Sequence, residues 1–243
     1  MAGVNALQWL TLTRHGESTG NLAFQAVDGT DAEEAGIPER DADVPLSDTG
    51  RAQAATLGRW LAALPDDERP TLVVSSPYLR AFDTAQIALA QVADASEILP
   101  VRVDERLRDR EQGILQGLTA RGVQNRYPGE ADRLRRLGKF YYRPPGGESW
   151  ADLALRLRSF YRDLQADAPG GRVLAVAHDA IVVMTRYLVE ELTEREVMEI
   201  EKEPIGNASV TRWRHDGSGL APVCYNDCAH LAGVVRPSPK ARR

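Results

Sequence analysis

Two histidines occupy equivalent positions in this chain, because each follows an apolar segment that is typical of a buried strand. His15 lies just after the segment 6–13, and His178 lies just after the segment 172–177. Ligands of open α/β sheets bind outside the carboxyl ends of the strands. We therefore expect the two imidazoles to face one pocket, although they lie far apart in the sequence.

Two arginines accompany these histidines at the same kind of strand–helix junction. Arg14 precedes His15, and Arg80 lies in the first turns of a helix that we predict to begin at Pro77, with Ser76 as its N-cap. Guanidinium groups bind phosphate oxygens bidentately, and backbone N–H groups after a strand can point at an anion. Either arginine alone is better explained by a surface ion pair. Together, the four side chains predict a phosphate-binding site.

The segments around these residues alternate between strand and helix patterns. Ser47 and Ser149 are predicted N-caps of amphipathic helices. The strand candidates are 6–13, 71–74, 98–103 and 172–177. This alternation predicts an α/β fold, a single domain with a mostly parallel central sheet flanked by helices.

We assign residues 1–235 to this domain and residues 236–243 to a flexible basic tail. The connection 24–45 holds seven acidic residues and one arginine, and we expect it to be a solvated acidic loop insertion. The segment of about 119–147 is rich in arginine, and we expect it to form a cap-like unit.

Composition excludes several classes of protein. The chain has 243 residues, 43% of them hydrophobic, so it is not a disordered polymer, and its 2 cysteines are too few to replace a buried core. The net charge of −5 argues against a nucleic-acid partner. No apolar run approaches the roughly 18 residues that a membrane span needs, and the N-terminus lacks the pattern of a secretory signal. We therefore expect a cytoplasmic globular protein without membrane contact.

Seven ordered sequence blocks resemble the histidine phosphatase superfamily, whose best-known branch contains the phosphoglycerate mutases. They span most of the chain, and TLTRHGESTGN (11–21) is similar to the phosphohistidine signature of that family. The other blocks are DVPLSDTGRAQA (43–54), SSPYLRAFDTA (75–85), LRDREQGILQGLT (107–119), PPGGES (144–149), AVAHDA (175–180) and NASV (207–210). The resemblance implies a phosphoglycerate mutase-like fold.

The resemblance also implies roles for individual residues. His15 would be the nucleophile that becomes a phosphohistidine, while Arg14, Arg80 and His178 would hold the phosphoryl oxygens. Asn21 would add a hydrogen bond near the phosphate. Two further residues of the third block, Ser76 and Thr84, are expected to be structural. The reaction would need neither a cofactor nor a metal ion, and Cys224, Cys228 and His230 lack the fourth ligand of a zinc site.

The general acid is the point at which the chain departs from the family pattern. The family places a glutamate two residues after the leucine of the fourth block, and this chain has Asp109 there. Glu111 is nearby and one methylene longer. Asp179 matches the acid of a His-Asp pair in another branch. We rank Asp109 first, Glu111 second and Asp179 third.

Three functions fit these observations. The PPGGES block is more similar to the phosphatase-type members, so we expect a metal-independent phosphomonoester hydrolase acting on a small phosphorylated substrate. A phosphoglycerate mutase-type phosphotransferase and a non-catalytic phosphate-binding protein are the alternatives, and a homo-oligomer stays open. Part of the basic segment would contact a second anionic group of the substrate, although a solvated helical face explains these residues as well: Arg133, Arg135, Arg136, Lys139 and Arg143.

Overall fold

The computed structural model describes residues 6–92 and 99–234. Within these ranges the strands are β1 (Trp9–Arg14), β2 (Leu72–Ser75), β3 (Val101–Val103), β4 (Arg172–Ala177), β5 (Val210–His215) and β6 (Leu220–Asp227). The α-helices are α1 (Thr19–Val27), α2 (Asp48–Ala62), α3 (Leu79–Leu89), α4 (Ala120–Arg126), α5 (Pro128–Leu137), α6 (Trp150–Asp167), α7 (Asp179–Val189) and α8 (Glu194–Ile200).

The strands form one sheet in the order β3-β2-β4-β1-β5-β6. The pairs β2–β3, β2–β4 and β1–β4 are parallel, whereas β5 runs antiparallel to both β1 and β6. The predicted α/β domain with a mostly parallel sheet is thus confirmed. This order places the carboxyl ends of β1, β4 and β2 side by side, so the residues that follow them share one edge of the sheet.

Helices cover both faces of the sheet because its central strands bury alternate residues on opposite sides. In β4, Val173 and Ala175 join the core formed with α6 and α7. Leu174 and Val176 of the same strand join the core formed with α2 and α3. The predicted helix caps at Ser47 and Ser149 are confirmed, since each side chain accepts a hydrogen bond from a backbone N–H in the first turn.

Three predicted boundaries were wrong. The first strand begins at Trp9 rather than at residue 6, because its partner strand β4 begins opposite Trp9. The strand predicted over 98–103 is β3, which pairs with β2 only over its three residues, and residue 98 lies outside the described residues. The helix predicted at Pro77 begins at Leu79, because the Ser76 hydroxyl accepts a hydrogen bond from the backbone N–H of Tyr78 in a turn before the helix.

The segment 24–45 is mostly exposed or half-buried, and part of it contacts the basic segment. Its start belongs to α1, and three of its seven acidic residues, Asp31, Glu33 and Glu34, pair with arginines of the basic segment. Arg126 of α4 contacts Glu33 at 2.8 Å and Glu34 at 3.1 Å, and the backbone N–H of Thr119 donates to the Glu33 carbonyl. These three acidic residues therefore bind the basic segment, although they keep part of their surface in solvent.

The described helices are not of the kind that spans a membrane. Within the described residues, every helix is too short or too polar to cross a membrane. The predicted tail 236–243 lies outside those residues.

Candidate active site

His15 lies at the carboxyl end of β1 with its ring held in one orientation. Its Nδ1 is 2.6 Å from the backbone carbonyl oxygen of Gly16. A carbonyl oxygen only accepts, so the proton lies on Nδ1 and the lone pair lies on Nε2. The Nε of Arg80 donates to that Nε2 at 3.3 Å. The nitrogen suited to nucleophilic attack therefore faces a guanidinium.

The His15 ring is neutral because its surroundings oppose a positive charge. The ring is fully buried, and this burial, followed by the charges of Arg80 and Arg14, holds the pKa of His15 well below its usual value. The hydrogen bond to the Gly16 carbonyl acts in the opposite direction but is the weakest of these effects. A buried neutral imidazole keeps its lone pair well into mildly acidic solution.

The position directly after His15 has space only for a glycine, which is Gly16. A Cβ at this position would lie 2.4 Å from the backbone oxygen of Gly50, and a Cβ on Gly50 would lie 1.9 Å from the Glu17 oxygen. The turn after β1 and the start of α2 therefore pack backbone against backbone. Ser47 strengthens this contact, because its hydroxyl donates to the Glu17 carboxylate at 2.7 Å.

Arg80 lies in the first turn of α3 and is only 4% exposed. Its Nη2 is 3.2 Å from the Asp109 carboxylate, and its Nη1 is 3.2 Å from the Asp41 carboxylate. Thr84, one turn later, donates to the Arg80 carbonyl and accepts from the Gly16 N–H. Thr84 thus ties the helix that carries Arg80 to the turn that carries the nucleophile.

His178 ends β4 and is fully buried beside His15, with ring centroids 5.3 Å apart. Its Nε2 is 2.9 Å from the Ser76 hydroxyl, while its Nδ1 makes no hydrogen bond with any described residue and lies 3.6 Å from an Asp109 oxygen. Burial, followed by the Arg80 charge, holds the pKa of His178 well below its usual value. A buried ring nitrogen without a hydrogen-bond partner among the described residues is suited to form a hydrogen bond with an oxygen of a ligand.

Arg14 and Asn21 are fixed by the loop 204–208, which follows α8. Arg14 donates to the Ile205 carbonyl at 2.6 Å. Asn207 donates from one amide group to the His15 carbonyl and to the Asn21 side-chain oxygen, both at 3.1 Å. The Asn21 oxygen is thereby engaged, and its NH₂ group is the part left to meet a ligand.

The three acid candidates occupy different positions. Asp109 is half-buried, contacts Arg80, and lines both cavities of the site. Asp179 also lines both cavities, although one of its oxygens accepts from the Ala180 N–H at the start of α7. Glu111 lines neither cavity and instead accepts a hydrogen bond from the Tyr78 hydroxyl at 2.8 Å.

Two residues hold the loop that carries Asp109, namely Glu148 of the PPGGES block and Arg156 of α6. Arg156 donates to the Asp109 carbonyl at 3.0 Å and to the Glu148 carboxylate at 2.9 Å. Glu148 also accepts from Arg108 at 2.7 Å and from the Glu111 N–H. Arg108 therefore points at Glu148 and away from the Asp109 carboxylate.

Two adjoining cavities surround these side chains. The smaller, of about 20 Å³, is lined by His15 and Arg80 together with Asp41. The larger, of about 740 Å³, extends towards α4 and α5. Both are lined by Arg14, Phe24, Asn21, Asp109 and Asp179. His15 and Arg80 line the small cavity, and the large cavity continues from the five residues that line both.

The basic side chains of the segment 119–147 are mostly paired with acids. The partners are Glu130 for Arg133, Asp132 for Arg135, Glu201 for Lys139 and Asp152 for Arg143. Arg135 and Lys139 line the large cavity. Within the described residues no group of three or more histidine, cysteine or acidic side chains is arranged to hold a metal ion.

The sequence predicted that Arg14, His15, Arg80 and His178 lie together, and the structure brings these four side chains together. Other residues of the site were not predicted. Asn207 lies in the quoted NASV block, so that block was the signal for it. Ser76 contacts His178, which agrees with the structural role expected of it. Tyr78 lies in the quoted block 75–85, whereas Asp41 carried no signal, because its contact with Arg80 joins remote parts of the chain.

Comparison with known proteins gives consistent matches. The sequence matches the histidine phosphatase superfamily (branch 1) over residues 10–228. A 2,3-bisphosphoglycerate-dependent phosphoglycerate mutase of Gloeobacter violaceus is 32% identical over 237 residues, 96% of either chain. A glucosyl-3-phosphoglycerate phosphatase of Mycobacterium tuberculosis is 33% identical over 181 residues, 71% of either chain. A solved mycobacterial glucosyl-3-phosphoglycerate phosphatase complexed with VO3 gives a TM-score of 0.66 at 28% identity, covering 90% of this chain and 99% of that one.

Proposed function

The chain belongs to branch 1 of the histidine phosphatase superfamily, and we propose that it hydrolyses phosphomonoesters through a phosphohistidine on His15, without a metal ion. The observation that carries this proposal is the hydrogen bond from His15 Nδ1 to the Gly16 carbonyl, which leaves the lone pair of the ring on Nε2. The guanidiniums of Arg14 and Arg80 provide the positive charge that the transferring phosphoryl group needs.

The first half of the reaction transfers the phosphoryl group to the protein. His15 Nε2 attacks phosphorus, and the bond to the ester oxygen breaks. Arg14, Arg80, His178 and Asn21 bind the equatorial oxygens. The departing oxygen takes a proton from Asp109, which lines both cavities and so lies where phosphate and leaving group meet.

The second half returns the site to its starting state. Water attacks the phosphohistidine, and the Asp109 carboxylate accepts a proton from that water as the P–N bond breaks. His15 recovers its lone pair, and the Gly16 carbonyl holds the ring in place throughout. Inorganic phosphate then leaves, and Asp109 is again protonated for the next ester.

Substitution of the nucleophile tests this function. His15→Ala should lower the hydrolysis of an aryl phosphate in the presence of a chelator by at least about 10³-fold, because the acceptor atom is lost. His215→Ala, at the end of β5, is the matched control and should keep full activity. A rapid-quench experiment at alkaline pH should trap phosphate on His15. Full activity of His15→Ala would contradict the proposal, and binding of phosphate esters without turnover by the unmodified chain would indicate the non-catalytic binding protein.

The general acid can be tested by the leaving group. Loss of proton donation harms poor leaving groups most, so Asp109→Asn should slow alkyl phosphates about 10²-fold or more and p-nitrophenyl phosphate much less. Glu111→Gln and Asp179→Asn serve as the comparisons, and either one giving this selective loss would reassign the acid.

The mutase alternative is favoured by one observation, the 32% identity with the Gloeobacter mutase over 96% of either chain. A mutase must hold a second anionic group while the phosphoryl group returns to the substrate. The paired state of most basic side chains in the segment 119–147 supports the hydrolase instead. Isomerisation of 3-phosphoglycerate that depends on a bisphosphoglycerate primer would establish the mutase. A small phosphorylated substrate and a cytoplasmic location are parts of the same proposal.

A further inference from the structure

The large cavity is much bigger than a phosphate group requires. At about 30 Å³ per water molecule, its volume of about 740 Å³ corresponds to roughly 25 waters. Cavities of about 300–1,000 Å³ typically enclose drug-sized ligands. The cavity begins at Asp109, where the leaving oxygen lies in the proposed reaction, so the leaving group is the part of the substrate that occupies it.

The walls of this cavity are largely apolar. Phe24 of α1 and Trp150 of α6 are buried side chains that line it, and Leu118, Val123 and Leu134 line the side formed by α4 and α5. Removing such surface from water favours binding in proportion to the apolar area covered. A hydrocarbon leaving group would remove this apolar surface from water, whereas a short, charged leaving group would leave the surface in contact with water.

Three of the cations that line the cavity away from His15 are paired with carboxylates, and a fourth, Arg110, donates to the Glu148 carbonyl at 2.9 Å and to the Gln112 side-chain oxygen at 3.1 Å. Lys139 is 2.7 Å from Glu201, and Arg135 pairs with Asp132. Lys202 is 2.6 Å from Glu199. A second anionic group on the substrate would have to compete with each of these carboxylates, so the charges of this region do not favour one.

We propose that the preferred substrates are phosphomonoesters of large, uncharged, mostly apolar alcohols, whose hydrocarbon part fills the cavity between Trp150 and α5. This inference rests on the proposed hydrolase function, because these esters are substrates only if the chain hydrolyses phosphomonoesters. The cavity itself can be tested without turnover.

A series of n-alkyl phosphates from ethyl to octyl isolates the effect of burial, because the leaving alcohols have nearly equal pKa values and differ only in length. Each buried methylene is expected to raise kcat/KM about three- to fourfold until the cavity is full. The same series of n-alkyl phosphonates, which are not hydrolysed, should show the same trend in Kd by titration calorimetry.

Two leucines of α5 provide matched variants. Leu134 lines the cavity and is 36% exposed, whereas Leu137, three residues later, is 51% exposed and does not line it. Leu134→Ser should lower kcat/KM for octyl phosphate about tenfold and leave ethyl phosphate within twofold. Leu137→Ser should leave both substrates within twofold of the unmodified chain.

The outcomes separate the two proposals. Equal kcat/KM and equal Kd along the series would overturn the apolar cavity, and so would a tenfold preference for 3-phosphoglycerate over octyl phosphate. Phosphonate affinities that rise with chain length while no ester is hydrolysed would support the cavity and refute the hydrolase. An equal loss in Leu134→Ser and Leu137→Ser would also overturn the assignment.

Discussion

We expect Asp41 to compete with substrate phosphate for Arg80, so its removal should strengthen phosphate binding. Its carboxylate lies 3.2 Å from Arg80 Nη1, and both residues line the cavity of about 20 Å³ at His15. Because the Asp41 carboxylate already contacts Arg80 at this cavity, we expect a phosphate group bound there to compete with it. Asp41→Asn keeps the size of the side chain and the backbone carbonyl that accepts from Arg80 at 2.5 Å. The substitution therefore removes only the charge.

The size of the effect follows from the geometry. Two unit charges at 3.2 Å attract by about 5 kcal/mol at an effective dielectric constant of about 20. Asp41 is 25% exposed, so desolvation and screening offset most of this attraction. A net value of about 1 kcal/mol corresponds to roughly a fivefold change in binding. The inhibition constant of inorganic phosphate should accordingly fall about fivefold in Asp41→Asn.

Competitive inhibition of aryl phosphate hydrolysis at pH 8, where phosphate is a dianion, measures this constant directly. Asp43→Asn is the control, because Asp43 pairs with Arg40 at 2.9 Å on the surface, and it should leave the constant unchanged. The difference between the two variants should shrink at high salt. An inhibition constant that rises in Asp41→Asn would refute the reasoning, since Asp41 would then be holding Arg80 in place for phosphate.

Two further predictions concern positioning and pH. Asn226 has a left-handed backbone, and its side chain makes two hydrogen bonds to the loop 204–208. Asn226→Gly should therefore lower kcat about tenfold with little change in Tm, while Asn226→Asp, which keeps the acceptor oxygen, should lower kcat less. Equal kcat in both variants and in the unmodified chain would contradict this prediction. Burial and the Arg80 charge lower the pKa of His178 below its unfolded value of about 6.5. Below about pH 6.5 the unfolded chain therefore binds more protons than the folded chain. The free energy of unfolding should fall there by up to about 1.4 kcal/mol for each unit that the pH drops. Urea unfolding at pH 7.5 and 5.5 should show a smaller pH dependence in His178→Gln than in the unmodified chain, and an equal pH dependence would contradict the reasoning.

The parts of the site that could be predicted from the sequence are those fixed by local pattern. His15 and His178 end apolar strands, and parallel strands that lie side by side must bring their carboxyl ends together. The helix caps at Ser47 and Ser149 were likewise predictable, because a serine hydroxyl satisfies backbone N–H groups in its own first turn.

The parts that could not be predicted depend on contacts between remote segments. The start of α3 was misplaced because the Ser76 hydroxyl serves a turn before the helix and contacts His178, which is 102 residues away in the sequence. The acidic connection 24–45 has the composition of a solvated loop, and only its docking on α4 gives Glu33 a partner in Arg126. Charge patterning counts charges along the chain, whereas pairing is decided by distance in space.

The acidic residues near Arg80 help to explain how a chain of net charge −5 forms a site for an anion. Arg14 and Arg80 are faced by Asp41, Asp109 and Asp179 across the small cavity. Unpaired guanidiniums in a buried cluster would be costly, so the Asp41 and Asp179 carboxylates stabilise the cluster while no substrate is bound. In the proposed reaction a phosphate dianion replaces the Asp41 carboxylate as the partner of Arg80, and the protonated Asp109 is the proton donor. On that proposal the acidic residues belong to the phosphate site and do not oppose it.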